Sequence, residues 1–160
     1  MSGPGDADLL AREVLYAFTE GLQCDRGSLW LLNDEGSTFV AREAVHPQGT
    51  PSMKDRRLSA ASEPFLAALL ERAGPVLFPD PQDPSSARLA RHESFADLDF
   101  GSLLAVPLLK QERLMGFLLL DDTREDHRFS AEDLAVTRSA AVLAAAALEK
   151  NRDRRAEAEQ

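Results

Sequence analysis

The stretch Gly101–Asp122, GSLLAVPLLKQERLMGFLLLDD, decides the fold. Apolar residues stand on both sides of the polar KQER, a pattern that predicts two strands joined by a tight turn. In the first strand Val106 and Leu108 alternate with Ala105 and Leu109, so both sets of side chains are apolar. A strand with this composition has both of its faces covered. We therefore expect a central hairpin in a sheet that is packed between other elements.

A capped helix follows the hairpin and continues almost to the end of the chain. Ser130 precedes Ala131, Glu132 and Asp133, so its hydroxyl can accept hydrogen bonds from the first helical N–H groups. The two acidic side chains also offset the positive end of the helix dipole. We expect the helix to open at Ser130 and residues 153–160 to form a helical connector or tail.

Two apolar stripes run along this helix, which predicts burial on more than one face. The stripes comprise Leu134, Ala141, Ala145 and Leu148 on one side and Val136, Ala140, Leu143 and Ala147 on another. Leu134, Ala141 and Leu148 repeat every seven residues, the spacing of a coiled-coil seam. Because one domain's sheet covers only one face, we expect a homodimer whose interface contains Leu134, Ala141, Ala145 and Leu148. The alternative is a monomer with a solvated terminal helix.

The remaining patterns predict two further helices, three further strands and a long irregular segment. Apolar spacing indicates helices at residues 8–22 and 62–73 and strands at residues 26–33, 38–44 and 75–79. Residues 45–61 contain Pro47, Gly49 and Pro51 and predict a loop. Residues 80–100 are rich in turn residues, with room for a short helix around Ala87 to His92. Residues 1–7 are expected to be a flexible N-terminus before one domain at residues 8–152.

Composition and charge disfavour several classes of protein. The 160 residues carry a formal charge of −9, which opposes binding to nucleic acid or to anionic membranes. Cys24 is the only cysteine, so the chain cannot form an intrachain disulfide or a multi-cysteine zinc site. The longest apolar run, Ala140–Leu148, has nine residues, whereas about 20 are needed to cross a bilayer. Because the N-terminal MSGPGDAD lacks the features of a signal peptide, we expect a cytoplasmic protein.

Three motifs stand out when the elements are taken together: SLLAVPL at Ser102–Leu108, Gly116 in the next strand, and FSAEDL at Phe129–Leu134. They belong to a longer series that includes DRGSLWLLNDEG at residues 25–36 and SEPFLAALLERAGPVLFPD at residues 62–80. This series resembles a GAF domain, the small-molecule sensing domain of cyclic-nucleotide phosphodiesterases, phytochromes and bacterial signalling proteins. The resemblance extends from Leu10 to Arg152.

The resemblance implies an α+β fold with a central antiparallel sheet of five or six strands. The first and last helices would pack on one face, and the Val45–Phe100 region would form a roof over a pocket on the other. It also implies a non-catalytic sensory or regulatory domain that dimerises through its terminal helices. The linked output domain would be a histidine kinase of a two-component system, a diguanylate cyclase or a transcriptional activator.

The expected pocket residues are mostly polar or aromatic. Arg88, His92 and Phe95 fall in the predicted roof, Ser102 begins the SLLAVPL strand, and Trp30 in the first strand could stack a planar ligand. Such a pocket favours a small anion or a planar acidic molecule. The alternative reading makes Trp30 a core residue and the roof residues a solvated helix face. The ligand itself stays unassigned, because the dispersed residues of cyclic-nucleotide-binding relatives have no counterpart in matching order.

The chemistry of the side chains gives little support to an enzyme. The chain contains no G-x-S-x-G, Walker or H-E-x-x-H motif, and no acidic spacing matches a calcium loop. One cysteine cannot carry out the thiolate attack and disulfide resolution of the methionine sulfoxide reductase relatives. No cysteine lies between Pro75 and Gly101, so covalent bilin is not expected. We expect His46 and His127 at the surface and no metal site. Two alternatives stay open: a ligand-free dimerisation scaffold and a small enzyme using Cys24 or His92.

Overall fold

The computed structural model describes residues 4–61, 65–78, 102–124 and 128–158. Within these residues the chain forms three helices, α1 (Pro4–Leu22), α2 (Phe65–Arg72) and α3 (Ala131–Ala158). The strands are β1 (Arg26–Leu32), β2 (Thr38–Val45), β3 (Arg57–Ser59), β4 (Val76–Phe78), β5 (Leu103–Lys110) and β6 (Arg113–Asp121). Of the expected Val45–Phe100 roof, residues 62–64 and 79–100 lie outside the described part of the chain.

The six strands form one antiparallel sheet in the order β3-β2-β1-β6-β5-β4. This confirms the expected fold class and every predicted strand. The strand β3 was not expected, because Arg57–Ser59 lies inside the predicted loop. Its three residues bury only Leu58, which lies opposite Phe39 on β2, so the segment is too short to show alternation in the sequence.

The central hairpin is built by a two-residue turn and a bulge. Gln111 and Glu112 have φ values of 50° and 67°, the sign that a type I′ turn requires at both central positions. The register of β5 and β6 shifts between Leu108, opposite Gly116, and Leu109, opposite Leu114. Met115 is therefore the extra residue, and neighbouring side chains change faces at this point.

The alternating side chains of the sheet contribute to two separate cores. The α2-side core lies between the sheet and α2 and includes Trp30, Phe39, Leu69, Leu103, Ala105, Phe117 and Leu119. The α1–α3-side core lies on the other face and includes Leu15, Phe18, Leu104, Val106, Leu118, Leu120, Ala145 and Leu148. The first and last helices contact each other and share one face of the sheet, as expected.

The start of α3 is fixed by reciprocal hydrogen bonds. The N–H of Asp133 donates to Ser130 Oγ at 3.0 Å, and the N–H of Ser130 donates to Asp133 Oδ2 at 2.8 Å. This arrangement is a capping box with aspartate in place of glutamate. It bears out the helix start expected from Ser130.

The assignment of the two stripes on α3 needs correction. Ala141, Ala145 and Leu148 are buried in the α1–α3-side core, and Leu134 packs against it. They are therefore covered by their own chain and are not exposed to a second copy. The outward surface instead carries Val136, Val142 and Leu143, which are 60%, 68% and 74% exposed. Both stripes are apolar, so the periodicity alone could not show which of them faces the sheet.

At Gly116 the sheet leaves no room for a side chain, so adding one methyl group there should destabilise the fold. A Cβ at Gly116 would lie 2.3 Å from the carbonyl oxygen of Trp30, a backbone atom of the β1–β6 ladder. We expect Gly116→Ala to lower the free energy of unfolding by about 3 kcal/mol, measured by urea denaturation.

Gly21→Ala is the matched control, because a Cβ at this helical position meets nothing within 4 Å. It should leave the stability unchanged or raise it by about 0.5–1 kcal/mol. Equal stabilities of the two variants would show that β1 and β6 do not approach as described.

Candidate functional site

Two of the five predicted ligand residues lie in the described part of the chain. Arg88, His92 and Phe95 lie outside it. Ser102 is half-buried and directly precedes β5. Trp30 aligns with Phe117, which in turn lies opposite Pro107 in the second half of β5. Trp30 and Ser102 are therefore not brought together on the sheet.

Trp30 sits in a packed aromatic cluster. Its side chain has no exposed surface, and its Nε1 donates to Ser28 Oγ at 2.8 Å. Its ring stacks on Phe117 with a centroid distance of 5.4 Å, and Phe39 lies 5.3 Å from Phe117 on the other side. Trp30, Phe117 and Phe39 therefore belong to the α2-side core. Contact between Trp30 and a ligand stays a prediction.

His46 is exposed, as expected, and forms a small local network. Its Nδ1 lies 3.1 Å from the carbonyl oxygen of Pro47 and 3.3 Å from Thr50 Oγ1. His127 lies outside the described residues. Across residues 4–61, 65–78, 102–124 and 128–158, no group of three or more histidine, cysteine or acidic side chains could hold a metal ion.

Cys24 lies at the corner between α1 and β1. Gln23 has a φ of 54°, and the N–H of Cys24 donates to the carbonyl of Thr19 at 3.0 Å, which ends α1 in a Schellman motif. Burial raises the pKa of the Cys24 thiol to about 12, with further contributions from Asp122, Asp121 and Asp25. The thiol is therefore protonated at neutral pH and lacks the thiolate that nucleophilic chemistry needs.

An ion pair beside this corner joins β1 to β6. Arg26 donates from Nε to Asp121 Oδ1 at 2.8 Å and from Nη2 to Asp121 Oδ2 at 2.5 Å, and both side chains are buried. Burial raises the pKa of Asp121, against the lowering effect of the Arg26 guanidinium. Both oxygens of this carboxylate are occupied, so it is a structural group.

Two further aspartates, Asp25 and Asp122, connect the α1–β1 corner to the segment after β6. Asp25 accepts from the N–H of Thr123 at 2.9 Å, and its own N–H donates to Asp122 Oδ2 at 3.0 Å. Arg124 holds both oxygens of Asp122, at 2.6 and 2.7 Å, and also donates to the carbonyl of Gln23 at 2.6 Å. These contacts fix the position from which the chain continues toward α3.

A groove between α1 and α3 was not expected from the sequence. It has a volume of about 650 Å³ and lies between the last turns of α1 and the first turns of α3. Its walls contain the small residues Ala17, Gly21 and Ala140, and Phe18 and Leu22 supply apolar surface. In the sequence, the four-residue spacing of the small residues Ala17 and Gly21 is the only pattern that relates to this groove. Small residues at this spacing are common in helices, so the pattern does not by itself predict a groove.

None of the helices in the described ranges is both long and apolar enough to span a membrane.

The GAF domain family model matches residues 6–148 of this chain. Among solved structures, the GAF domain of PixJ from Thermosynechococcus elongatus in its blue-light absorbing form has a TM-score of 0.72 and 17% identity, covering 96% of this chain and 91% of that one. The GAF domain of a phosphoenolpyruvate-protein phosphotransferase from Coxiella burnetii has a TM-score of 0.67 and 22% identity, covering 94% and 86%.

The second GAF domain of DevS from Mycobacterium smegmatis has a TM-score of 0.66 and 16% identity, covering 94% of this chain and 99% of that one. No curated protein matches at a significant level. At these identities the solved structures show a shared fold. Since the family model covers most of the chain and the sheet has the matching topology, this protein belongs to the GAF domain family.

Proposed function

We propose that this chain is a non-catalytic sensory domain. A small molecule or partner binds on the α2 side of the sheet, and the resulting shift passes to α3 and onward to a linked output domain. One observation carries the proposal: β5 supplies side chains to both cores, with Leu103 and Ala105 on the α2 side and Leu104 and Val106 on the α1–α3 side. Because packed cores are not compressible, displacement of β5 on one side moves its contacts on the other.

The far end of α3 is well placed to carry such a shift. Arg152 donates from Nη2 to the carbonyl of Leu32 at 2.7 Å. Lys110 Nζ lies 3.2 Å from Glu149 Oε1 and forms a salt bridge with it. These contacts attach the polar part of α3 to the ends of β1 and β5. The helix continues beyond them to Ala158, the geometry expected of a connector to another domain.

The proteins that contain similar GAF domains support a linked output domain. One neighbour is a GAF domain from a phosphoenolpyruvate-protein phosphotransferase, and another is a GAF domain/HD domain protein from Geobacter sulfurreducens. For this chain a histidine kinase, a diguanylate cyclase or a transcriptional activator stays the proposed class of output. The proposed ligand is a small anion or planar acidic molecule held by Arg88, His92 and Ser102.

A second candidate is a ligand-free dimerisation scaffold. The packing of Trp30 favours it, because this side chain already has Ser28 and Phe117 as partners and no exposed surface to offer a ligand. The protonated state of Cys24 disfavours the third candidate, an enzyme that uses this thiol. The first two candidates differ in whether a small molecule stabilises the domain.

Thermal denaturation with a panel of small carboxylates and phosphates separates the sensor from the scaffold. We expect at least one anion to raise Tm by mass action, since it binds only the folded state. Arg88→Ala should abolish that rise, whereas Arg42→Ala, at an exposed residue of β2, should retain it. No rise with any anion, or an equal rise in both variants, contradicts the proposed pocket.

Dimerisation is proposed to use the outward face of α3. Val136, Val142 and Leu143 are large apolar side chains that the chain itself leaves exposed. On α1, which packs beside α3, Leu9 and Tyr16 are also exposed. A second copy covering this surface would remove apolar area from water, the main driving force of association.

Two charge substitutions on α3 test which face meets the partner. Leu143→Glu should convert the dimer to a monomer by light scattering and lower the urea midpoint only by the stabilisation that dimerisation itself supplies, because the side chain is 74% exposed within one chain. Leu148→Glu should instead lower the free energy of unfolding by more than about 3 kcal/mol, because it places a carboxylate in the core.

Leu70→Glu on α2 is the control for added charge, since Leu70 is exposed on another element. Its molecular mass should equal that of the parent protein. A monomeric parent protein, or a Leu143→Glu variant that remains dimeric, would contradict the proposed interface.

A further inference from the structure

Arg138 is a charged residue on the side of α3 that faces the sheet. Leu134 lies one turn before it and Ala141 one turn after it, and these two residues pack against or within the α1–α3-side core. Arg138 itself is exposed. Its side chain therefore starts beside the core and carries the guanidinium group out of it, as long basic side chains commonly do.

The guanidinium group of Arg138 lies against Gly74, in the turn between α2 and β4. A Cβ at Gly74 would lie 2.8 Å from Nη2, 2.9 Å from Cζ and 3.3 Å from Nε of Arg138. Gly74 is buried, whereas Ala73 beside it is exposed. Because α2 and α3 pack on opposite faces of the sheet, Arg138 connects the two sides around the edge strand β4.

Gly74 comes directly after the end of α2. Ala73 has a φ of 50°, and its N–H donates to the carbonyl of Leu69 at 3.1 Å, which closes α2 with a left-handed cap. The last carbonyl groups of a helix carry a partial negative charge, which a nearby cation stabilises. Arg138 therefore places a positive charge from α3 beside the C-terminal end of α2.

The helix α2 has only eight residues, and within the described chain β5 is the element that it contacts most. We propose that Arg138 couples α2 directly to α3, by a second route that does not pass through the sheet. Movement of α2 displaces Gly74 and the guanidinium group that lies on it, and the side chain carries the displacement into the first half of α3. The biological role of this route rests on the sensory function proposed above, whereas the contact itself needs no ligand.

Hydrogen exchange of the α2 amides tests the contact from both of its ends. Arg138→Ala removes the cation, so we expect these amides to exchange roughly two- to fivefold faster, the effect of one charge at a helix end. Gly74→Ala should also speed their exchange, because its Cβ displaces the guanidinium group. In the Arg138→Ala background Gly74→Ala should cause no further increase, since the same contact cannot be lost twice.

Two exposed positions provide matched controls for this measurement. Ser139→Ala changes the next residue of α3, and Arg42→Ala removes the same charge from β2. Neither variant should alter the exchange of α2. An equal increase in Arg42→Ala and Arg138→Ala would overturn the proposal, because net charge and not the contact would then be responsible.

Transmission to α3 is tested by disturbing α2 in the parent protein and in Arg138→Ala. Leu66→Ala removes a buried side chain of α2, and amide chemical shifts of the ¹⁵N-labelled full chain report the effect. We expect shift changes at residues 134–141 in the parent background and at most about half of these changes in Arg138→Ala. Leu66→Val makes the same test with a smaller loss of volume if Leu66→Ala does not fold. Leu70→Ala, at an exposed position of α2, is the control and should leave these amides unchanged.

Two results would overturn the proposal. The first is equal exchange of α2 in the parent protein and in Arg138→Ala. The second is an undiminished response of residues 134–141 in the Arg138→Ala background, because β5 would then carry the coupling alone. Failure of every anion to raise Tm would instead contradict the sensor and leave both of these measurements valid, so the two proposals fail separately.

Discussion

The β5–β6 hairpin lies inside the sheet between β1 and β4, and its side chains contribute to both cores; α2 and α3 contact β5, whereas α1 packs mainly against β1, β2 and α3. Both faces of its two strands are buried, because the side chains that point to either face are apolar along almost the whole length of each strand. The type I′ turn at Gln111 and Glu112 sets the pairing, and the bulge at Met115 determines which side chains reach each core. The positions of α2 and α3 therefore depend directly on this ladder.

The two cores lie on opposite faces of the same sheet and share its strands, which is the structural basis of the proposed coupling between the α2 side and α3. Leu104 and Ala105 are neighbours on β5, yet they pack in different cores. In the proposed mechanism, a change in packing against Ala105 is not absorbed by compression, so it moves the strand and its contacts with α3. The ion pair of Arg26 and Asp121 and the hydrogen bonds of Asp25 hold the start of β1 to the end of β6.

Most of the fold could be predicted because long apolar periods and local caps are visible in a sequence. Ser130 shows this for α3, and the apolar run at Leu103–Leu108 shows it for β5. The strand β3 could not be found because one buried side chain, Leu58, makes no period. The sequence could not show which stripe of α3 faces the sheet, because both stripes are apolar. It could not show the α1–α3 groove either, because the groove forms only where the two helices meet in the folded chain.

Native-state hydrogen exchange with peptide-level mass spectrometry tests the central role of the hairpin most directly. If β5 and β6 hold both cores, their amides exchange only through global unfolding and show the protection expected from the full free energy of unfolding. The amides of α2 and of residues 153–158 should exchange earlier, through local opening. Exchange of β5 and β6 ahead of α1 and α3 would contradict the account, because the helices would then be held by something other than this ladder.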